Sequence, residues 1–222
     1  MFDIVFISYN EPNAEENWAK LKARFPFAKR VKGVRGIHQA HIAAAKKCFT
    51  KMFWVVDGDS EVLDTFNFED PQGLWEECVY VYRALNPVNG LVYGYGGIKL
   101  LPTAMTINMD VTNVDMTTSI SKNFTAVPIV ASSTNFNTDP FNTWKSAFRE
   151  CVKLSSKVID DSTETIERLD VWCNVANGSY ADCAIEGAIA GRHYGEDHRG
   201  NKEALLKIND FDWLKRKFDD SV

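Results

Sequence analysis

Three apolar runs separated by two helical stretches most constrain what this chain can fold into. The first, DIVFISY from Asp3 to Tyr9, is rich in Ile, Val and Phe and stops at Asn10-Glu11-Pro12-Asn13, which predicts a buried strand ending in a turn. Glu15 to Phe25 carries Trp18, Leu21, Lys22 and Phe25 at helical spacing, and Pro26 closes it. Ala28 to Val34 predicts a second strand, and the alanine-rich HQAHIAAAKKCF from His38 to Phe49 a second helix. MFWVV, Met52 to Val56, is then a third strand that delivers Asp57 at its carboxyl end. Strand, helix, strand, helix, strand implies right-handed crossovers, and so an α/β chain with a doubly wound, mostly parallel sheet and helices on both faces. Ligands of such sheets bind beyond the carboxyl ends of the strands, where Tyr9-Asn10-Glu11 and Asp57-Gly58-Asp59 fall.

At 222 residues the chain is long enough for one domain, and 45% hydrophobic with 25% charged residues leaves ample apolar material for a core. The amino terminus lacks a basic segment before its apolar run, and Glu11-Pro12-Asn13 interrupts that run too early for a signal peptide or membrane span, so a cytoplasmic protein without a membrane partner is expected. Five cysteines without a Cys-x-x-Cys pair suggest buried thiols rather than disulfides or a zinc knuckle. The net charge of -5 conceals an asymmetry: from Asn17 to Val56 there are ten Lys or Arg and no Asp or Glu, a basic region suited to a polyanion or a nucleotide diphosphate, or else a solvated helix face.

Later segments are less regular. Gly90 to Leu101 predicts a strand with a glycine-rich kink, and residues 103–138, rich in Thr, Asn and Ser, predict short strands and loops. Asp139-Pro140 starts a helix whose apolar face holds Phe141, Trp144, Phe148, Cys151 and Val152, with Asp139 as its cap. Further helices are expected at about 163–175 and 180–190, the last stopped by Gly191.

Asp-x-Asp directly after a buried strand sets two carboxylates on one turn at the rim of a sheet. Such hard oxygen ligands suit Mg²⁺ or Mn²⁺, and Gly58 between them would let the backbone approach a ligand. The same pattern also serves as a plain acidic turn. A helix start near Gly36-Ile37-His38 would favour phosphate through its unpaired N–H groups. His38 and His41, one helical turn apart, would reach the site or cap the helix.

DIVFISYNE, GVRGIHQAHIAAAKK and FWVVDGDSEV, in that order and spacing, resemble the nucleotide-binding half of GT-A glycosyltransferases over roughly the first 65 residues. The resemblance implies a single GT-A-like domain over 1–222, with residues 1–100 holding a UDP-linked nucleotide sugar and 101–222 the acceptor. It implies that Ser8, Tyr9, Asn10 and Glu11 border the base and ribose, that Arg35 faces the diphosphate, and that Asp57 and Asp59 bind ribose and metal. Members often supply a later histidine to the metal, and His193 and His198 in GRHYGEDHRG, past a predicted helix, are the candidates here, His193 first. An inverting enzyme would need a base for the acceptor hydroxyl, for which Asp115, Asp139 and Asp182 are candidates. Over its whole length the chain is similar to phage-encoded members of that family, among them the arabinosyltransferases of T4-like phages, which glycosylate hydroxymethylated pyrimidines in double-stranded DNA. That implies 5-hydroxymethylcytosine as acceptor, with the basic run from Lys20 to Lys51 on phosphates and Tyr93, Tyr95 or Phe136 available to stack on a base.

The rival from another class is a phosphatase of the haloacid-dehalogenase type, with Asp57 as nucleophile, Asp59 as acid/base, and Lys157 with Asp160-Asp161 imitating later motifs. That family carries its motif on the first strand, whereas here two crossovers precede it. A nucleotidyltransferase, or a noncatalytic module in which Asp57 and Asp59 are salt-bridged without metal, are the remaining alternatives.

Overall fold

A computed structural model describes residues 1–94, 97–158 and 162–221. The chain is α/β, and its contacts group it into two compact units. One comprises Met1–Asn86, Val92–Val111 and Met116–Asn135, and the other Pro87–Leu91, Thr112–Asp115 and Phe136–Val222. Among the described residues no helix is long and apolar enough to cross a membrane.

The first unit contains the sheet. Its strands are β1 (Asp3–Ser8), β2 (Lys29–Lys32), β3 (Met52–Asp57), β4 (Ser60–Val62), β5 (Val79–Leu85), β6 (Val92–Tyr93), β7 (Ile98–Pro102) and β8 (Phe124–Thr134). They run in the order β2-β1-β3-β7-β5-β8-β4, with β6 beside β5. The crossovers expected at the amino terminus are present: α1 (Ala14–Arg24) links β1 to β2, α2 (Ile37–Ala45) links β2 to β3, and β1 pairs parallel with both strands. The expectation of a mostly parallel sheet fails beyond β3. There β7 lies antiparallel to both β3 and β5, and β4 antiparallel to β8, while β5 and β8 are parallel. The reason is local. Parallel neighbours need a long return, usually helical, and among the described residues no helix lies between β3 and β7.

Alternation along the strands sends apolar side chains to two cores. Ile4, Phe6, Met52, Trp54 and Val56 meet Ala14, Leu21 and Trp18 of α1 on one face. Val5, Phe53 and Val55 meet Ala44, Ala45 and Ile42 of α2 on the other, where Met105 of α3 (Thr103–Ile107) and Met116 of α4 (Met116–Ile120) also pack. Helices therefore cover both faces. Residues 103–138, expected as short strands and loops, hold these two helices and the eleven-residue β8. The helix predicted to reach Phe49 ends at Ala45, because the Asp3 carboxylate accepts hydrogen bonds from the Phe49 and Thr50 amides at 2.6 and 3.2 Å and draws the chain out of helical conformation.

The second unit is helical: α5 (Pro140–Ser156), α6 (Thr163–Asn174), α7 (Ala181–Asp197), α8 (Lys202–Leu206) and α9 (Phe211–Asp219). Trp144, Phe148 and Val152 of α5 share its core with Leu205, Ile208 and Leu214. Gly191 does not stop α7, contrary to expectation. With Gly187 and Gly195 it forms a stripe at four-residue spacing laid against α5, and a Cβ there would sit 2.3 Å from the Phe148 carbonyl oxygen. These glycines are sites of close backbone approach inside a continuous helix.

Candidate functional site

The register Ile7↔Asp57 brings the carboxyl ends of β1 and β3 side by side, so the Ser8–Glu11 turn and the Asp57–Asp59 turn become neighbours. Gly58 is what lets them close up. A Cβ on it would fall 2.7 Å from Glu11 Oε2 and 3.1 Å from Ser8 Cβ, so the missing side chain makes room for Glu11 and Ser8 rather than for a ligand as the sequence suggested. Glu11 Oε2 in turn accepts from the Tyr9 amide at 2.7 Å. Asn17, buried on α1, donates to the Gly58 carbonyl at 3.0 Å, and the Asn135 amide donates to the Asp59 carbonyl at 2.8 Å. The acidic turn is thus pinned through its backbone from two sides.

Asp57 has a partner that the sequence reading missed. Lys99 pairs with Val55 across β3 and β7, so its side chain emerges on the same sheet face as Asp57, two residues on. Its ammonium donates to Asp57 Oδ2 at 2.7 Å, with the Lys99 side chain 4% exposed and that of Asp57 35%. His41 of α2 is buried on this face. Its Nδ1 donates to the Ile37 carbonyl at 2.8 Å, which leaves Nε2 as a bare acceptor with no hydrogen-bond partner among the described residues. Burial, reinforced by the Lys99 charge and opposed by Asp57, pushes the His41 pKa down to about 4, so the ring is neutral at physiological pH. His38 faces Ser119, its Nε2 3.2 Å from the hydroxyl.

The other sequence-derived residues of this unit divide. Ser8 is buried and its hydroxyl accepts from Arg30 Nε and Nη2 at 3.1 and 2.9 Å. Tyr9 and Glu11 are half-buried and Asn10 is exposed at the same turn. Arg35 is exposed just before α2, whose amino terminus at Gly36-Ile37 carries no side-chain cap. Tyr93 is buried, and Tyr95 lies outside the described residues.

The basic run does not form a bare cationic surface. Lys20 pairs with Glu16 and Glu61 at 2.8 and 2.6 Å, Lys29 with Asp3 at 2.6 Å, Lys51 with Glu76 at 3.2 Å, and Arg30 and Lys32 share Glu15. Hydrogen bonds from Arg30 and Lys32 hold the Glu15 carboxyl down at about 2. Arg24 spends its guanidinium on the carbonyls of Leu63, Asp64 and Phe66. Acidic residues outside the run, or just before it, come back to it in the fold.

In the second unit, Asp139 is the N-cap of α5: one carboxylate oxygen accepts from the Asn142 amide at 2.8 Å and the other from the Asn142 side chain. That commitment argues against its use as a base. Asp115 is buried, 3.8 Å from Lys153 Nζ, and Glu150 approaches the same ammonium at 3.4 Å. Asp182 is exposed in the first turn of α7. His193 is also exposed, but within α7 rather than on a loop beyond it, because the helix continues to Asp197. His198 caps that helix end, with Nδ1 2.9 Å from the Tyr194 carbonyl and its ring stacked on Tyr194. Phe136 is buried against Trp172, so its ring is not presented for base stacking. Lys157 takes the left-handed position that ends α5, and Asp160 and Asp161 lie outside the described residues.

Among the described residues no three or more His, Cys, Asp or Glu side chains form a group able to hold a metal ion. The acidic turn supplies at most its two carboxylates. That still suits Mg²⁺ or Mn²⁺, which are commonly held by one or two carboxylates while substrate phosphates and water complete the shell. No family model, curated protein or solved structure matches the chain.

Proposed function

We propose that the chain is a metal-dependent glycosyltransferase of GT-A type, which binds a nucleotide diphosphate sugar, UDP-linked in the simplest case, at the joined carboxyl ends of β1 and β3. The observation that carries this reading is the meeting of the Ser8–Glu11 and Asp57–Asp59 turns around Gly58 at the ligand-binding edge of a parallel β2-β1-β3 segment. Asp59, with the oxygen of Asp57 that Lys99 does not hold, would bind Mg²⁺ or Mn²⁺. A divalent ion there supplies neutralisation of the charge that develops on the departing diphosphate. Asn17 and Asn135 hold the backbone of the turn, so the carboxylates need little reorganisation when the ligand arrives. Arg35 and the amino terminus of α2 would attract the diphosphate.

For the acceptor, the resemblance to phage enzymes favours 5-hydroxymethylcytosine in double-stranded DNA. The internally paired basic run adds little to that choice. The test is incubation with UDP-sugars and Mn²⁺ beside small phosphoesters. UDP release supports transfer, and phosphate release from the phosphoesters would favour the haloacid-dehalogenase-type phosphatase. Nucleoside mass spectrometry after incubation with hydroxymethylated DNA decides the acceptor: no added pentose or hexose across several donors removes DNA while leaving the donor site intact.

A further inference from the structure

Lys99 is an unusual neighbour for a turn read as a cation site. Its side chain is almost wholly buried, it emerges on the face that carries Asp57, and its ammonium rests on one of that carboxylate's two oxygens. A fixed ammonium on Asp57 repels any divalent ion that approaches the same carboxylate, and partial burial weakens the screening of that repulsion by salt. A diphosphate reverses the balance, because its negative charge is attracted by the ammonium and the ion alike.

We propose that Lys99 is a positioning residue that keeps the Asp57–Asp59 turn from taking up a divalent ion until a diphosphate arrives, so that metal and nucleotide bind as a coupled pair. The inference rests on the reading of this turn as a metal site. It makes metal affinity depend on a buried residue of β7 that no motif contains. Because coupling between ligands is reciprocal, Lys99 also determines how strongly the metal promotes nucleotide binding.

The experiment is Mn²⁺ titration of the full chain, followed by the paramagnetic resonance signal of free aqueous Mn²⁺, with and without UDP. Lys99→Met is expected to bind Mn²⁺ about tenfold more tightly than the native chain when UDP is absent, as loss of a unit charge beside the ligand predicts, and to show a smaller gain on adding UDP. Lys99→Arg, which keeps the charge, is expected to stay close to the native affinity. If circular dichroism shows that Lys99→Met does not fold, Lys99→Gln, which can still donate to Asp57, provides the same reading. Equal or weaker Mn²⁺ binding by the folded uncharged variant overturns the proposal. Asp59→Asn separates the two levels. Should it leave Mn²⁺ binding in the presence of UDP unchanged, the metal site and the role of Lys99 both fall; should it abolish that binding while Lys99→Met matches the native chain, only the role of Lys99 falls.

Discussion

Asp59 stands in a turn whose backbone is held by Asn17 and Asn135, so its side chain can be altered without undoing those hydrogen bonds. Asp59→Asn is therefore expected to change thermal stability by less than about 1 kcal/mol, while metal-dependent turnover with a UDP-sugar falls by about a hundredfold or more. Full activity in the variant would remove the metal assignment. His41 provides a second test at this scale, one that needs no substrate. Its folded pKa, about 4, lies below the ordinary 6.5, so the unfolded chain takes up a proton first as pH falls. The resulting stability is fully present above pH 6.5 and is lost on descending toward pH 4, by about 3 kcal/mol in all. Urea denaturation at pH 7 and pH 4.5 is expected to show a steeper loss for the native chain than for His41→Gln; parallel losses would mean that the ring is not held neutral. How residues read from the sequence fared follows the same physics. Asp57 was legible as the end of an apolar strand, whereas Lys99, 42 positions later, had no local signal, because only the antiparallel register of β7 brings it there.

At the scale of elements, α5 and α7 depend on a contact that composition disguises. Glycine inside a helix ordinarily weakens it by roughly 1 kcal/mol relative to alanine, so Gly191→Ala in an isolated helix would be stabilising. Here the added Cβ would meet the Phe148 carbonyl at 2.3 Å, and backbone on both sides leaves little room to yield. Gly191→Ala is expected to destabilise the protein by about 3 kcal/mol, against less than about 0.5 kcal/mol for the exposed Ile189→Ala. A denaturation series that reversed this order would show that the two helices do not pack on their glycines. Reading Gly191 as a stop was reasonable locally, since glycine commonly follows a helix end. A stripe spaced by four residues, Gly187, Gly191 and Gly195, was the available clue that the helix continues. By contrast, Asp139-Pro140 marked the start of α5 correctly, because capping chemistry is complete within four residues of chain.

Across the whole molecule, charge along the chain and charge in space diverge. The stretch from Asn17 to Val56 is uniformly basic in sequence, yet Asp3, Glu15, Glu61 and Glu76 fold back onto it. Binding to a DNA duplex is accordingly expected to weaken only gently with salt, with a slope of log affinity against log salt of magnitude below about 3, far from the value of about 9 that ten phosphate contacts would produce. Fluorescence anisotropy between 50 and 200 mM salt measures it, and a steep slope would show that these ion pairs open to receive DNA. By itself the sequence determined the elements whose signals are short in range: the β1-α1-β2-α2-β3 start with its parallel pairing, the acidic turn at its end, and the capped α5. Tertiary structure alone decided the antiparallel insertion of β7, the ion pair it brings to Asp57, the partial pairing of the basic run with distant acids and the continuation of α7 through its glycines. Propensity, capping and hydrophobic period act over a few residues, whereas register, burial and charge pairing depend on distances in space that sequence separation does not encode.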